Sequence, residues 1–175
     1  VPLNSKQFLE ARVYQKLVYI LTANATTGKT SVSIYNSSTK SLVTTKEYNL
    51  YTLNGEIKVY KDQVYLLSIG SLEKGQQPSL YSIKIPVGQT SNLPEWQLAI
   101  ALNSHICPKS VTWGPKTSTD LYISSICESD STDKHVYGFA LNLDNLSLSS
   151  LTETFSLTQS DDFRVCPQSD LINVI

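Results

Sequence analysis

The sequence is short of the residues that most catalytic sites need. Its 175 residues include no methionine, three cysteines and only two histidines, His105 and His135. Each histidine lies at the start of a predicted strand, and no Gly-x-Ser-x-Gly elbow accompanies it, so a Ser-His-Asp triad has no local support. The sequence also contains no cofactor-binding motif. These absences favour binding over catalysis.

Long apolar runs and a dominant charge are missing as well. The most apolar stretches, Leu17 to Leu21 and Leu98 to Leu102, fall far short of the roughly 18 residues that span a bilayer as a helix. Lysine and arginine number 14 against 15 acidic residues, for a net charge of −1. Because no basic field results, the sequence predicts no nucleic-acid partner and no membrane span.

What the sequence does contain is a pair of cysteines at matched positions. Apolar runs from Ser110 to Trp113 and from Leu121 to Ile126 flank a Gly-Pro-Lys-Thr-Ser-Thr cluster, which predicts an antiparallel hairpin. If the turn centres near Thr117, Cys107 lies directly opposite Cys127, near disulfide reach. A disulfide favours an oxidising compartment, so we expect an extracellular or secretory location.

The third cysteine, Cys166, suggests the start of a further copy of this hairpin. Cys166 precedes a proline, as Cys107 does 59 residues earlier. Its partner in an equivalent hairpin would lie beyond Ile175, so we expect Cys166 to be unpaired or bonded outside this chain. Because the chain begins Val-Pro and has no methionine, we expect a signal peptide or precursor segment to have been removed.

Three Asn-x-Ser/Thr triplets are candidates for N-glycosylation. They begin at Asn24, Asn36 and Asn145, each in a predicted loop, where acceptor sites must lie. The chain is rich in serine and threonine, and about two such triplets are expected by chance. Only their placement in loops therefore supports the prediction.

A pattern of short strands recurs along the chain. Three β-branched and aromatic runs share a tyrosine in the same place, Tyr19, Tyr65 and Tyr122, at spacings of 46 and 57 residues. Each is followed by a polar break, a second strand, a turn and a more polar outer strand. The predicted repeats cover residues 8–55, 56–103 and 104–160, with the start of a fourth at 161–175, in one all-β domain or the N-terminal part of a larger one. Each shared tyrosine is predicted to pack between repeats.

This repeat resembles the blade of a β-propeller, since the spacing is close to the roughly 40 to 50 residues of a four-stranded blade. The Ser110-Val-Thr-Trp113 strand is similar to the inner-strand motif of fucose-binding fungal propeller lectins. The resemblance implies antiparallel four-stranded blades, in a partial propeller of about three blades. An open propeller leaves an exposed edge, so we expect a second polypeptide or self-association to complete it. A β-sandwich of two antiparallel sheets is the alternative fold.

A few other side chains are candidates for binding. Trp96 and Trp113 are predicted ligand contacts, although a single tryptophan in a blade is more often part of the core. Glu128, Asp130 and Asp133 share one loop but lack the glycine and the alternation of a calcium loop, so we predict no metal site.

From these features we predict a secreted or cell-surface binding module that recognises a glycan or a protein, with no catalytic residues and no cofactor of its own. The alternative is part of a propeller enzyme, lactonase-like or glycosidase-like, whose catalytic residues lie mostly outside this chain. A purely structural partner subunit is a third hypothesis. Fold alone does not decide between them.

Overall fold

The protein is built from β-strands. The computed structural model describes residues 6–71, 78–102, 111–116, 120–128, 134–150, 155–157, 165–168 and 171–174. All regular elements in these ranges are strands of antiparallel sheets, which confirms the predicted all-β, antiparallel class. Within the same ranges the sheets close into neither a barrel nor a propeller, so the propeller stays a prediction.

The chain divides into two compact units, Val1–Ala101 and Leu102–Ile175. The division follows the last strand of the second predicted repeat. Whether the units belong to one domain stays a prediction, and each is described here by itself.

The first unit holds one seven-stranded sheet in which every strand pairs with its neighbours along the chain. Such a meander needs only short connections. Two of its turns, at Gln15 and at Lys61–Asp62, use positive φ angles, which match the twist of a tight hairpin. The strands are β1 Lys6–Tyr14, β2 Leu17–Asn24, β3 Lys29–Asn36, β4 Ser41–Tyr60, β5 Gln63–Ser71, β6 Ser79–Pro86 and β7 Gln97–Ala101.

Strand β4 is 20 residues long and belongs to two successive repeats. Its first half, to Tyr51, pairs with β3, and its second half, from Tyr51, pairs with β5. A register shift between Thr52 and Asn54 marks the changeover. No loop separates the predicted repeats 8–55 and 56–103 at their boundary, because the outer strand of one repeat continues directly into the first strand of the next.

We call each repeated four-stranded set a module. Module one comprises residues 6–51, and module two comprises residues 51–101. Their buried side chains meet in one hydrophobic cluster. Module one contributes from β2, β3 and the first half of β4, and module two contributes from the second half of β4, β5, β6 and the segment before β7. Its members are Tyr19, Leu21, Val32, Ile34, Tyr48, Ile57, Val64, Leu66, Ile83, Ile85 and Leu93.

The predicted interior role of the tyrosines holds for Tyr19 and Tyr65. Tyr19 is fully buried in this cluster, and Tyr65 is 7% exposed. Burial runs along almost the whole of β5, as expected for a strand covered on both faces. Tyr122 lies on a described strand of the second unit.

The second unit contains a third module of the same order. Strands β8 Val111–Lys116, β9 Asp120–Glu128 and β10 Lys134–Asn142 pair in sequence, and the other edge of β10 carries β11 Ser147–Ser150 and β12 Phe155–Leu157. We also predicted an outer strand from 146 to 155; its described parts are β11 and the start of β12, which pair with the same edge of β10. The predicted fourth repeat contributes a hairpin of β13 Val165–Gln168 and β14 Leu171–Val174, and β13 contacts β8.

The register of the β8–β9 hairpin differs from the prediction by two residues. Trp113 lies opposite Ile123, and Thr112 lies opposite Ser124. The prediction placed these partners two positions earlier, because the observed pairing centres one residue beyond Thr117. Cys107 lies outside the described residues, so its disulfide with Cys127 stays a prediction.

Tight packing around β5 gives a test of the fold. A Cβ atom at Gly70 would collide with the backbone carbonyl oxygen of Tyr51, which cannot move without breaking the β4–β5 ladder. We expect Gly70→Ala to lower the free energy of unfolding by about 2 kcal/mol in urea denaturation.

The matched control is Gly88→Ala. Gly88 has a positive φ of +87°, and no heavy atom lies within 4 Å of a Cβ atom added there. We expect only the backbone strain of a left-handed residue, about 1 kcal/mol. Equal stability of Gly70→Ala and the wild type would contradict the described β4–β5 pairing.

Candidate functional site

A repeated charged motif lies on the first strands of modules one and two. Glu10-Ala-Arg-Val-Tyr14 on β1 matches Glu56-Ile-Lys-Val-Tyr60 on β4 at the same 46-residue spacing that relates Tyr19 to Tyr65. The pairing is equivalent too, because Glu10 lies opposite Leu21 and Glu56 opposite Leu67. Neither glutamate is among the site residues predicted above, and this repeat is the signal that finds them.

The two motifs meet where β1 contacts β4. The carboxyl groups of Glu10 and Glu56 lie close enough for a side-chain hydrogen bond between them. The Arg12 guanidinium lies between them, with Nε 3.7 Å from Glu10 Oε1 and Nη2 3.7 Å from Glu56 Oε1. We call this set, Glu10, Arg12, Glu56 and Lys58, the seam cluster.

The burial of Glu56 decides whether its carboxyl group is protonated. Glu56 is only 3% exposed. Loss of hydration raises its pKa to about 8, and the Glu10 carboxylate adds to this rise while Arg12 and Lys58 oppose it. Burial also lowers the pKa of Lys58. At neutral pH, Glu56 is therefore mostly a neutral carboxylic acid, and its proton explains how two acidic groups can be hydrogen-bonded.

The outer part of the seam cluster is open to solvent. The side chain of Arg12 is 43% exposed and that of Glu10 is 23% exposed, whereas that of Glu56 is 4% exposed. A ligand can therefore reach the guanidinium group of Arg12 and, beside it, the carboxylate of Glu10. Such a pair donates and accepts hydrogen bonds within a few ångströms, which suits hydroxyl groups and polar backbone groups of a ligand.

The carboxyl pair does not match a glycoside hydrolase. Retaining enzymes hold their two carboxyl groups about 5 to 5.5 Å apart, and inverting enzymes hold them further apart. Glu10 and Glu56 are hydrogen-bonded to each other, so a sugar ring cannot lie between them. The pair is therefore suited to holding strands together rather than to cleaving a glycosidic bond.

Trp96, a predicted ligand contact, is packed against the core of the first unit. Its ring meets Tyr48 edge to face, with centroids 5.9 Å apart, and its Nε1 atom is buried with no hydrogen-bond partner among the described residues. The Tyr48 hydroxyl donates to the carbonyl oxygen of Pro94 at 3.0 Å. These contacts fix Trp96 and the segment before β7 onto module one.

Lys46 adds to the same attachment. Its ammonium group donates to the carbonyl oxygen of Leu93 at 2.7 Å and to the Glu95 carboxylate. It also lies 5.0 Å from the centre of the Tyr48 ring. Burial and the nearby Glu95 charge together raise the pKa of Tyr48.

Trp113 lies on β8, the first strand of the third module, and is partly buried. Its Nε1 atom is buried without a hydrogen-bond partner in the described part of the chain. Since Trp113 pairs with Ile123, it occupies the register position of Ile57, a core residue of module two. A role of Trp113 or Trp96 in ligand contact stays a prediction.

The asparagines of the three N-glycosylation triplets accept hydrogen bonds from residues two or three positions further along the chain. The Asn24 side chain accepts hydrogen bonds from the backbone of Thr26 and Thr27, and Asn36 Oδ1 accepts from Ser38 and Thr39. Asn145 is exposed and accepts from the Ser147 hydroxyl. Their positions, at strand ends and in a turn, are compatible with glycosylation, which stays a prediction.

Of the other predicted residues, Cys127 lies on β9 opposite His135, and Cys166 on β13 lies opposite Asn173. His105, Asp130 and Asp133 lie outside the described residues. Within the described ranges, no group of histidine, cysteine, aspartate and glutamate side chains could hold a metal ion. No described helix is long and apolar enough to cross a membrane.

Comparison with known proteins adds no family to this description. No protein-family model matches the chain, and no curated protein matches its sequence. Function must therefore be inferred from the modules and the seam cluster themselves.

Removing the arginine of the seam cluster should destabilise the first unit in a pH-dependent way. Arg12→Met keeps most of the apolar stem but leaves the Glu10–Glu56 pair without its nearest cation. We expect a loss in free energy of unfolding of about 1 kcal/mol at pH values near 6, where Glu56 is neutral, and a larger loss near pH 9, where it is charged.

Urea denaturation at both pH values measures this difference. Lys16→Met, in the exposed β1–β2 turn, is the matched control, and it should change stability little at either pH. A loss for Arg12→Met that is the same at both pH values would show that Arg12 does not compensate the charge of Glu56.

Proposed function

We propose that this chain is part of a secreted or cell-surface β-propeller that acts as a binding module for a glycan or a protein. The observation that carries the proposal is the seam cluster. It places a half-exposed arginine and a carboxylate on the first strands of two successive modules, in a setting unsuited to hydrolysis.

Contact between equivalent residues supports the propeller. When modules repeat by rotation about an axis, the distance between equivalent residues grows with distance from that axis. Glu10 and Glu56 are equivalent and in contact, which is expected of first strands nearest the axis. The first half of β4 leads directly into the first strand of module two, so the outer strand of one module is followed in the chain by the first strand of the next, as in successive propeller blades.

Exposure at the first strands supports binding there. Arg12 is followed by Val13, which is 67% exposed. Because side chains alternate along a strand, Arg12 and Val13 project from opposite faces of β1. The guanidinium itself therefore offers the directional hydrogen bonds, which suit the hydroxyl groups of a sugar or the polar groups of a peptide backbone.

A binding screen tests the proposal. The full chain should bind in a panel of neutral, carboxylated and sulfated oligosaccharides, or capture a specific protein from the extracellular medium. Arg12→Lys keeps the charge but loses the bidentate fork, so affinity for the ligand found should fall about tenfold, the worth of one charge-assisted hydrogen bond.

Lys40→Ala, in the β3–β4 turn, is the control for a change in surface charge, and it should bind as the wild type does. Calorimetric titration of the three proteins gives the affinities. If Arg12→Lys binds with full affinity, the seam cluster is not part of the binding site. If neither the glycan screen nor the protein screen finds a ligand, the chain is not a binding module.

Peptide mapping of the secreted protein tests the location. We expect a disulfide-linked peptide pair containing Cys107 and Cys127 under non-reducing conditions, and sugar on at least one of Asn24, Asn36 and Asn145. Finding Cys107 and Cys127 both as free thiols, with all three asparagines bare, would contradict an extracellular protein.

A further inference from the structure

We propose that Glu10 and Glu56 share one proton that holds β1 against β4, and that loss of this proton opens the contact between the first two modules. Both carboxyl groups lie 3.7 Å from the same Arg12 guanidinium and within hydrogen-bonding reach of each other, and Glu56 is 3% exposed. The inference concerns the contact itself and does not depend on the ligand proposed above.

The sequence forces Glu56 into this position. Ile57, the next residue along β4, belongs to the core shared by the modules. Because side chains alternate along a strand, Glu56 projects from the opposite side of β4. Its equivalent on β1, Glu10, meets it there, so the repeat brings two identical acids together in a largely dry place.

Glu56 is surrounded by groups from three strands, β1, β4 and β5. Glu10 and Arg12 lie on β1, Lys58 lies two residues further along β4, and apolar Leu67 lies opposite on β5. With the shared proton, two cations balance one carboxylate. Without it, a second negative charge must be held where water hardly reaches, beside the first.

Strand β1 is the element that can move when the shared proton is lost. Among the described strands its only ladder partner is β2, which makes it an edge strand of the sheet, and it contacts β4 through side chains. Edge strands open at lower free energy than strands paired on both sides. Repulsion between Glu10 and Glu56 is therefore relieved most easily by separation of β1 from β4.

The direction of the pH effect follows from linkage. Glu56 has a pKa of about 8 in the folded chain, above the ordinary value of 4.5. The folded state therefore holds a proton that the unfolded state has already released over this range. Its stabilising contribution is complete below the ordinary pKa and is lost as the pH rises through the folded value.

Two measurements on the full chain test the inference. In a carbon-13 titration of the glutamate carboxyls, the Glu10–Glu56 pair should show one apparent step in the acidic range and one near pH 8. In amide hydrogen exchange, corrected for intrinsic rates, β1 amides should open about a hundredfold more at pH values near 9 than near 6.

Variants separate the shared proton from general alkaline effects. Glu56→Gln keeps the hydrogen bond to Glu10 but cannot ionise, so its β1 opening should not change with pH. Glu47→Gln, at an exposed position on the same strand, should behave as the wild type.

The inference is overturned if both carboxyls titrate at ordinary acidic pH, or if β1 opens equally with pH in the wild type and in Glu56→Gln. Should Glu56→Gln not fold, the wild-type titration decides alone, since a shared proton must give the step near pH 8.

Discussion

The fold of the first unit depends on the continuity of β4. One strand pairs with β3 along its first half and with β5 along its second, so modules one and two cannot move apart as separate sheets. The register shift after Thr52 lets the strand change partners without ending. The shared hydrophobic cluster and the attachment of Lys46 and Tyr48 to the segment before β7 both follow from this geometry.

The same continuity creates the seam cluster. Because the chain enters module two without a loop, the first strand of module two starts next to β1, and their equivalent residues are close. Repetition of the sequence then has an electrostatic cost, since it places two equivalent glutamates, Glu10 and Glu56, next to each other. A proton on Glu56 and the guanidinium of Arg12 offset that cost.

Much of the fold could be predicted from the sequence. The strand pattern and the spacing of Tyr19 and Tyr65 predicted antiparallel four-stranded sets, because alternation and turn residues are local signals. The continuity of β4 could not be predicted, since Asn54-Gly55 is typical of a tight turn and only the two different partners of β4 keep it extended. The β8–β9 register was wrong for a similar reason: sequence locates a turn more closely than it fixes the pairing around it.

The candidate site was missed because charge on a strand is usually solvated. Nothing local distinguishes Glu56 from an exposed glutamate such as Glu47; only contact with another module buries it. The predicted aromatic residue Trp96, by contrast, is explained by packing on Tyr48. Residues repeated in register carry more information here than residue types associated with binding.

The third module shows that the seam cluster is not a general requirement of the repeat. The position equivalent to Glu10 and Glu56, judged from pairing with β9, is Thr112, opposite Ser124. A four-stranded module therefore forms without the charged motif, and its overall order is unchanged. A feature that lies where modules one and two meet, and that the described part of the third module lacks at the equivalent position, is better explained by what that contact does than by how the sheets are built. This difference between modules is the strongest reason to look for function at Arg12 and its neighbours.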